Sequence, residues 1–320
     1  MGETNTDLPG LGEPTCRGFL AGHGVGDLAY ARWERPEPRG RVVISHGYGE
    51  HGGRYAEVAF WLNGLGWSVS ALDHRGFGRS GGVRGDLTGI RAPVEDLAAF
   101  LRHERRYDAD RVGALPALAG GVPVPPPPVC PQVLLGHSFG GLLALLDLLW
   151  HADTVDGLIL TSPAVTLREL PAGLRLLRTV LGWVAPHRPL DLPNDKALVC
   201  TDPDLVRAYW ADPLCHRFVT AGFMAALAEG HDELLPLGAE LDRPVLLLDA
   251  GEDLVVDPDG SDRLWSAMAP GLLERHRMQG MRHEIFHDLH RAEAENLAAQ
   301  WLDRVFPPAA QEQKGPVLPY

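Results

Sequence analysis

Val133-Leu134-Leu135-Gly136-His137-Ser138-Phe139-Gly140-Gly141-Leu142-Leu143-Ala144-Leu145-Leu146 decides the fold. It reads as a short apolar strand, a Gly-x-Ser-x-Gly turn and a helix-forming run, the three parts of a nucleophile elbow. Such a turn leaves no room for side chains at its flanks. Glycine at 136 and 140 removes the Cβ atoms that would collide, and Ser138 is left with a strained backbone and an exposed hydroxyl. The same geometry aims the first N–H groups of the helix at whatever sits on the serine, which suits a developing oxyanion.

Outward from the elbow, apolar strands alternate with helical stretches. Arg41 to Ser45, Trp67 to Leu72, Leu158 to Leu160, Val245 to Leu248 and Leu272 to Met278 read as strands. Tyr55 to Leu65, Pro93 to Arg106 and the amphipathic run Arg291 to Val305 read as helices. Arg17 to Arg35 suits a two-stranded start turning near Gly22, Gly24 and Gly26. This alternation predicts an α/β fold with a mostly parallel sheet covered on both faces by helices.

Two stretches interrupt the alternation. Residues 113–131 contain Pro125-Pro126-Pro127-Pro128 without periodicity, and read as an extended, exposed loop rather than a ligand for a proline-recognition module. Residues 164–235 are far longer than a usual α/β connection and carry helix-like runs at Leu174 to Val184, Pro203 to Trp210 and Thr220 to Ala228. An inserted helical lid is expected there. The core is then 15–163 with 236–306, and the polar, Gly- and Pro-rich ends 1–14 and 307–320 are expected to be mobile tails.

Composition narrows the function classes. Of the 320 residues 45% are hydrophobic, enough for a large core, and the formal net charge of -13 leaves no basic stripe for nucleic acid. Cys16, Cys130, Cys200 and Cys215 have no metal-type or Cys-x-x-Cys spacing, so free thiols are expected. Neither a signal peptide nor a membrane-length apolar run is visible, and a cytoplasmic, soluble protein is the default expectation.

A serine nucleophile needs a base, and the base needs an orienting acid. In an elbow-type sheet both follow later strands, acid before histidine. After Val245 to Leu248 come Asp249, still in the strand, then Glu252 and Asp253 in the loop. Asp257, before Pro258, reads as a helix cap. Asp253 is the chosen acid. Of the later histidines, His276 lies in a strand, His287 and His290 read as surface residues, and His283 sits just beyond the last strand, where a loop can carry it to Ser138. The oxyanion donors are expected to be the backbone N–H groups of Phe139 and Tyr48, the latter in the glycine-flanked turn His46-Gly47-Tyr48-Gly49. His46 reads as a structural hydrogen-bonding residue. No metal or organic cofactor is called for.

The combination His46-Gly47-Tyr48-Gly49-Glu50-His51 with Arg54-Tyr55, Asp73-His74-Arg75-Gly76-Phe77-Gly78-Arg79-Ser80 and the elbow itself resembles the monoacylglycerol lipase and lysophospholipase group of α/β-hydrolases. Asp202-Pro203, Tyr209, Asp212-Pro213-Leu214 and Gly280-Met281-Arg282-His283-Glu284 continue the resemblance in order, from about Arg17 to Phe306. It implies the triad Ser138, Asp253 and His283, with Tyr48 and Phe139 as oxyanion donors. The proline-rich stretch is not part of the group's pattern.

The lid governs substrate access. Leu174, Leu177, Val180, Leu181 and Val184 make an apolar face, and Trp183, Phe218, Phe223 and Met224 add bulk. Such a stripe suits packing of a lid on its core, an acyl-chain site, or transient contact with membranes and lipid aggregates. Leu177, Trp183, Phe218 and Phe223 are the candidate substrate-binding residues. With the resemblance, a single-chain lipid ester, a monoacylglycerol or lysophospholipid, is the leading substrate. Short-chain esterase, thioesterase, peptidase or acyltransferase chemistry would use the same triad, and a non-catalytic lidded binding protein would be expected to lack one of its members.

Overall fold

Strands buried on both faces are built on near-continuous apolar runs, such as Val42-Val43-Ile44, Val133-Leu134-Leu135 and Leu158-Ile159-Leu160 of this chain. The computed structural model describes residues 12–22, 24, 26–113, 130–167, 185–191 and 199–308. It places β1 (Cys16–Ala21), β2 (Asp27–Trp33), β3 (Arg41–Ser45), β4 (Ser68–Leu72), β5 (Gln132–His137), β6 (Gly157–Thr161), β9 (Val245–Ala250) and β10 (Leu273–Met278) in one eight-stranded sheet, in the order β1-β2-β4-β3-β5-β6-β9-β10. The first two strands are antiparallel additions, and β4 through β10 run parallel.

Alternate residues of β5 serve opposite faces. Leu134 packs into the cluster containing Phe139, Leu142 and Phe223, whereas Val133 and Leu135 join the cluster containing Leu62, Trp67 and Trp301. The first face is covered by α2 (Arg91–Gly113) and α3 (Phe139–Trp150), the second by α1 (Ala56–Gly64) and α7 (Arg291–Val305). Between β9 and β10 lies a short helix, α6 (Asp262–Ala267).

Between β6 and β9 the chain forms helices α4 (Pro203–Ala211) and α5 (Ala221–Leu234), as expected, and also an antiparallel ribbon of β7 (Pro189–Asp191) with β8 (Phe218–Thr220). Asp202 caps α4, accepting the Asp204 N–H at 2.8 Å, and Thr220 caps α5, accepting the Phe223 N–H at 3.0 Å. The expected helix at 174–184, with Leu177 and Trp183, lies outside the described residues. So do most of the proline-rich stretch and most of both tails. All four cysteines are free thiols. Among the described residues no helix is long and apolar enough to cross a membrane.

Two local expectations are corrected. Pro258 occupies the cap position of a short helical turn that begins at Asp259, so Asp257 does not cap it. His287 is buried, not on the surface: its ring packs edge-on against Tyr55 at 4.9 Å and its Nε2 donates to Arg54 O at 3.2 Å.

Candidate active site

Parallel strands bring their carboxyl ends to one edge of the sheet, where open α/β folds build their sites. Ser45 pairs with Gly136, His137 with Thr161, and Met278 with Ala250 in the strand register. The loops after β3, β5, β9 and β10 therefore emerge on a common edge. They carry Tyr48, Ser138, Asp253 and His283 respectively.

Ser138 stands between β5 and α3 with φ 51° and ψ -116°. Among the described residues only Ser138 and Ser162 are non-glycine residues with positive φ. The strain is held by the surroundings. Ser138 N–H donates to Thr161 O at 3.1 Å, and its carbonyl accepts Gly141, Leu142 and Ala164 N–H groups at 3.0, 3.2 and 2.8 Å. A Cβ on Gly140 would lie 2.1 Å from Ser45 O, and one on Gly136 would lie 2.8 Å from Gly141 Cα. Both glycines are sterically required, as the sequence implied.

Asp253 is buried while Glu252 is exposed, which separates the two loop carboxylates. Asp253 Oδ1 accepts the Val255 and Val256 N–H groups at 2.8 and 2.9 Å, and Oδ2 accepts His283 Nδ1–H at 2.8 Å. Burial alone would raise its pKa, but His283 and the two backbone donors bring it down to about 2. With Nδ1 donating, His283 presents Nε2 as the basic nitrogen. The His283 ring lies 4.9 Å from the ring of His137, the residue before Ser138. Burial, with His283 nearby, pushes His137 down to about 4, so a neutral imidazole packs against the His283 ring.

The turn after β3 is fixed by structural histidines. His46 Nε2 accepts the His74 N–H at 3.0 Å, so its Nδ1–H donates to Gly47 O at 2.7 Å. Ser45 Oγ, 2.9 Å from His74 Nε2, donates to Gly140 O at 3.1 Å and ties β3 to the elbow. Burial holds both His46 and His74 below the ordinary histidine range.

A buried charge network escaped the sequence reading. Glu50 Oε1 accepts Gly47 N–H at 2.6 Å and the Tyr55 hydroxyl at 2.9 Å, and Oε2 accepts Arg54 Nη1–H. Arg54 Nη2 in turn donates to Glu284 Oε2 at 2.8 Å. Burial opposes ionisation of Glu50, yet the Arg54 guanidinium holds its carboxyl below the usual range. The turn after β3 and the loop carrying His283 are thus pinned through one guanidinium. The signal was present as Gly-Glu-His, Arg-Tyr and His-Glu in the resemblance, without a role attached.

His51, Asp212 and Cys215 offer metal-type atoms within 4.8 Å of one another. Hydrogen bonding argues against a ligand set. His51 Nδ1 accepts the Gly53 N–H at 3.1 Å, so Nε2 carries the proton and donates to Asp212 Oδ2 at 2.8 Å. A metal on Nε2 would turn an Nδ1–H against that backbone N–H.

Of the candidate substrate-binding residues, Phe223 is buried against Tyr48 and Phe139, with ring centroids 3.9 and 5.1 Å apart. Phe218 is half-buried and stacks on His216 at 4.6 Å.

A family model for the serine aminopeptidase (S33) family matches residues 36–290. The monoacylglycerol lipase of Mycolicibacterium smegmatis is 32% identical over 272 residues, 84% of this chain and 90% of that protein. The monoglyceride lipase of Rattus norvegicus is 30% identical over 241 residues, 74% of this chain and 73% of its own. The solved structure of Paleococcus ferrophilus monoacylglycerol lipase superposes with a TM-score of 0.70 at 29% identity, covering 87% of this chain and 99% of that one. Elbow, topology and relatives agree: the chain belongs to the serine aminopeptidase S33 family of α/β-hydrolases, and is of the monoacylglycerol lipase and lysophospholipase type.

Proposed function

We propose that this carboxylic ester hydrolase works through an acyl-enzyme on Ser138, with single-chain lipid esters as substrates. The observation that carries the reading is the buried His283–Asp253 hydrogen bond of 2.8 Å on the sheet edge that bears the strained Ser138. In the scheme, Ser138 Oγ attacks the ester carbonyl carbon while His283 Nε2 takes its proton. Asp253 keeps the imidazole in the tautomer with Nδ1–H and stabilises the imidazolium. The Tyr48 and Phe139 N–H groups bind the oxyanion, and losing one such donor typically costs about two to three orders of magnitude in turnover. His283 then protonates the leaving alcohol. Water, deprotonated by His283, attacks the acyl-enzyme and releases the fatty acid, with no metal or organic cofactor in the scheme.

The substrate class is supported by the relatives, which are monoacylglycerol and monoglyceride lipases. It is also supported by the aromatic wall that Phe223 builds against Phe139 and Tyr48. Residues 164–235 act in this reading as a lid on a core of 15–163 and 236–306.

A hydrolysis panel of monoacylglycerols, lysophospholipids and p-nitrophenyl esters of increasing acyl length tests the substrate. Turnover should rise beyond the short acyl chains, and Ser138→Ala should lose at least about 10³-fold throughout. A short-chain optimum, or an undiminished Ser138→Ala, would contradict the reading.

A further inference from the structure

The turn Gly47-Tyr48-Gly49 is gripped by the segment between β6 and β9 at two neighbouring residues. The Tyr48 ring lies 3.9 Å from that of Phe223 and meets His216 edge-on at 5.1 Å. Its hydroxyl stands 2.8 Å from Gly85 O and 3.0 Å from Phe218 O, with one proton to serve both. One residue on, Gly49 O accepts His216 N–H at 2.9 Å and lies 2.8 Å from the Tyr209 hydroxyl, which is also 2.7 Å from His216 O. Gly49 has φ +78°, and a Cβ there would come within 2.6 Å of His216 O, so the close approach of the two chains itself needs glycine. From the core side, Glu50 holds Gly47 N–H.

The Tyr48 N–H therefore belongs to a peptide clamped on both sides, and its outer clamp is built from the β6–β9 segment. An oxyanion donor is effective only when it is oriented before charge develops. We propose that Tyr48 and Tyr209 are positioning residues: their side chains register the seating of the β6–β9 segment on the oxyanion turn. The turn holds its Tyr48 N–H in the productive direction only when that segment is docked. Both hydroxyls are engaged by backbone carbonyls, those of Gly85 and Phe218 for Tyr48 and those of Gly49 and His216 for Tyr209. The inference rests on the assignment of Ser138 and the Tyr48 N–H made under Proposed function.

Tyr48→Phe and Tyr209→Phe, singly and together in the full chain, test it. Each removes one oxygen and keeps the ring. The readouts are kcat and KM on a p-nitrophenyl ester, and Ki of an alkyl trifluoromethyl ketone. That ketone adds Ser138 Oγ to its carbonyl carbon, passes the serine proton to His283 and leaves an oxyanion on the former carbonyl oxygen. Each variant should lower kcat about 10-fold or more with KM within about twofold, a loss confined to the transition state. The ketone's Ki should rise by the factor that kcat/KM falls. A fall in melting temperature without a matched rise in Ki, an unchanged kcat, or failure of both variants to fold would overturn the positioning role. Fluorophosphonate labelling of the same samples separates the two levels. An unlabelled Ser138 in the parent chain would reject the triad itself, whereas a labelled Ser138 with unchanged variant kinetics would reject only this inference.

Discussion

Asp253 spends both carboxylate oxygens, one on two backbone N–H groups and one on His283. Asp253→Asn should preserve the loop but favour the wrong imidazole tautomer, lowering kcat by about 10⁴ at neutral pH, as steady-state kinetics would read. Because its folded pKa is depressed to about 2, Asp253 stabilises the fold above the ordinary aspartate pKa. That contribution is lost as pH falls from about 4 through about 2. At this scale the sequence was most legible where the constraint is local. The elbow's own backbone requires Gly136, whereas Gly140 is required by the Ser45 carbonyl of β3, a distant contact that only the motif signals, and Asp253 and His283 follow from their place after strands. His287 was misread because its burial against Tyr55 and Arg54 is a long-range contact, invisible to local pattern.

Elements built on a single period were read well, and those without one were not. The apolar runs of β3, β5, β6 and β9 and the starts of α4 and α5 match the reading of the chain within a few residues. The ribbon β7–β8 was missed because three-residue strands carry no periodicity. Helix α2 runs on to Gly113 through a charged stretch that resembles a solvated face. In fact Glu104 and Asp108 turn inward to pair with Arg32 and Arg41. The tie between the turn after β3 and the His283 loop belongs to this scale too. Arg54→Met would leave Glu50 and Glu284 buried without their cation, a loss of about 3–5 kcal/mol. Denaturant unfolding should show it, with partial recovery in Arg54→Met/Glu284→Gln. A cost under about 1 kcal/mol would mean that the network is incidental.

Across the whole molecule, four buried histidines, His46, His74, His137 and His287, are held below the ordinary histidine pKa by burial. The unfolded chain takes up protons there that the folded chain refuses, so stability is lost as pH falls below about 6.5. Asp147 opposes them: its buried carboxyl is pushed up to about 7, so its contribution is lost as pH rises from about 4 through 7. The histidines outnumber it, and the melting temperature should drop by more than about 5 °C between pH 7 and pH 5. Asp147→Asn should steepen that drop. A flat profile would show that the histidines are protonated in the fold.

The acyl-enzyme on Ser138 is tested most directly by treating the protein with a long-chain fluorophosphonate and locating the adduct by peptide mass spectrometry, with hydrolysis of a monoacylglycerol followed in parallel. One adduct is expected, on Ser138, with lipase activity lost in proportion to labelling and no adduct in Ser138→Ala. An adduct on another residue, or full monoacylglycerol hydrolysis by protein completely labelled at Ser138, would contradict it.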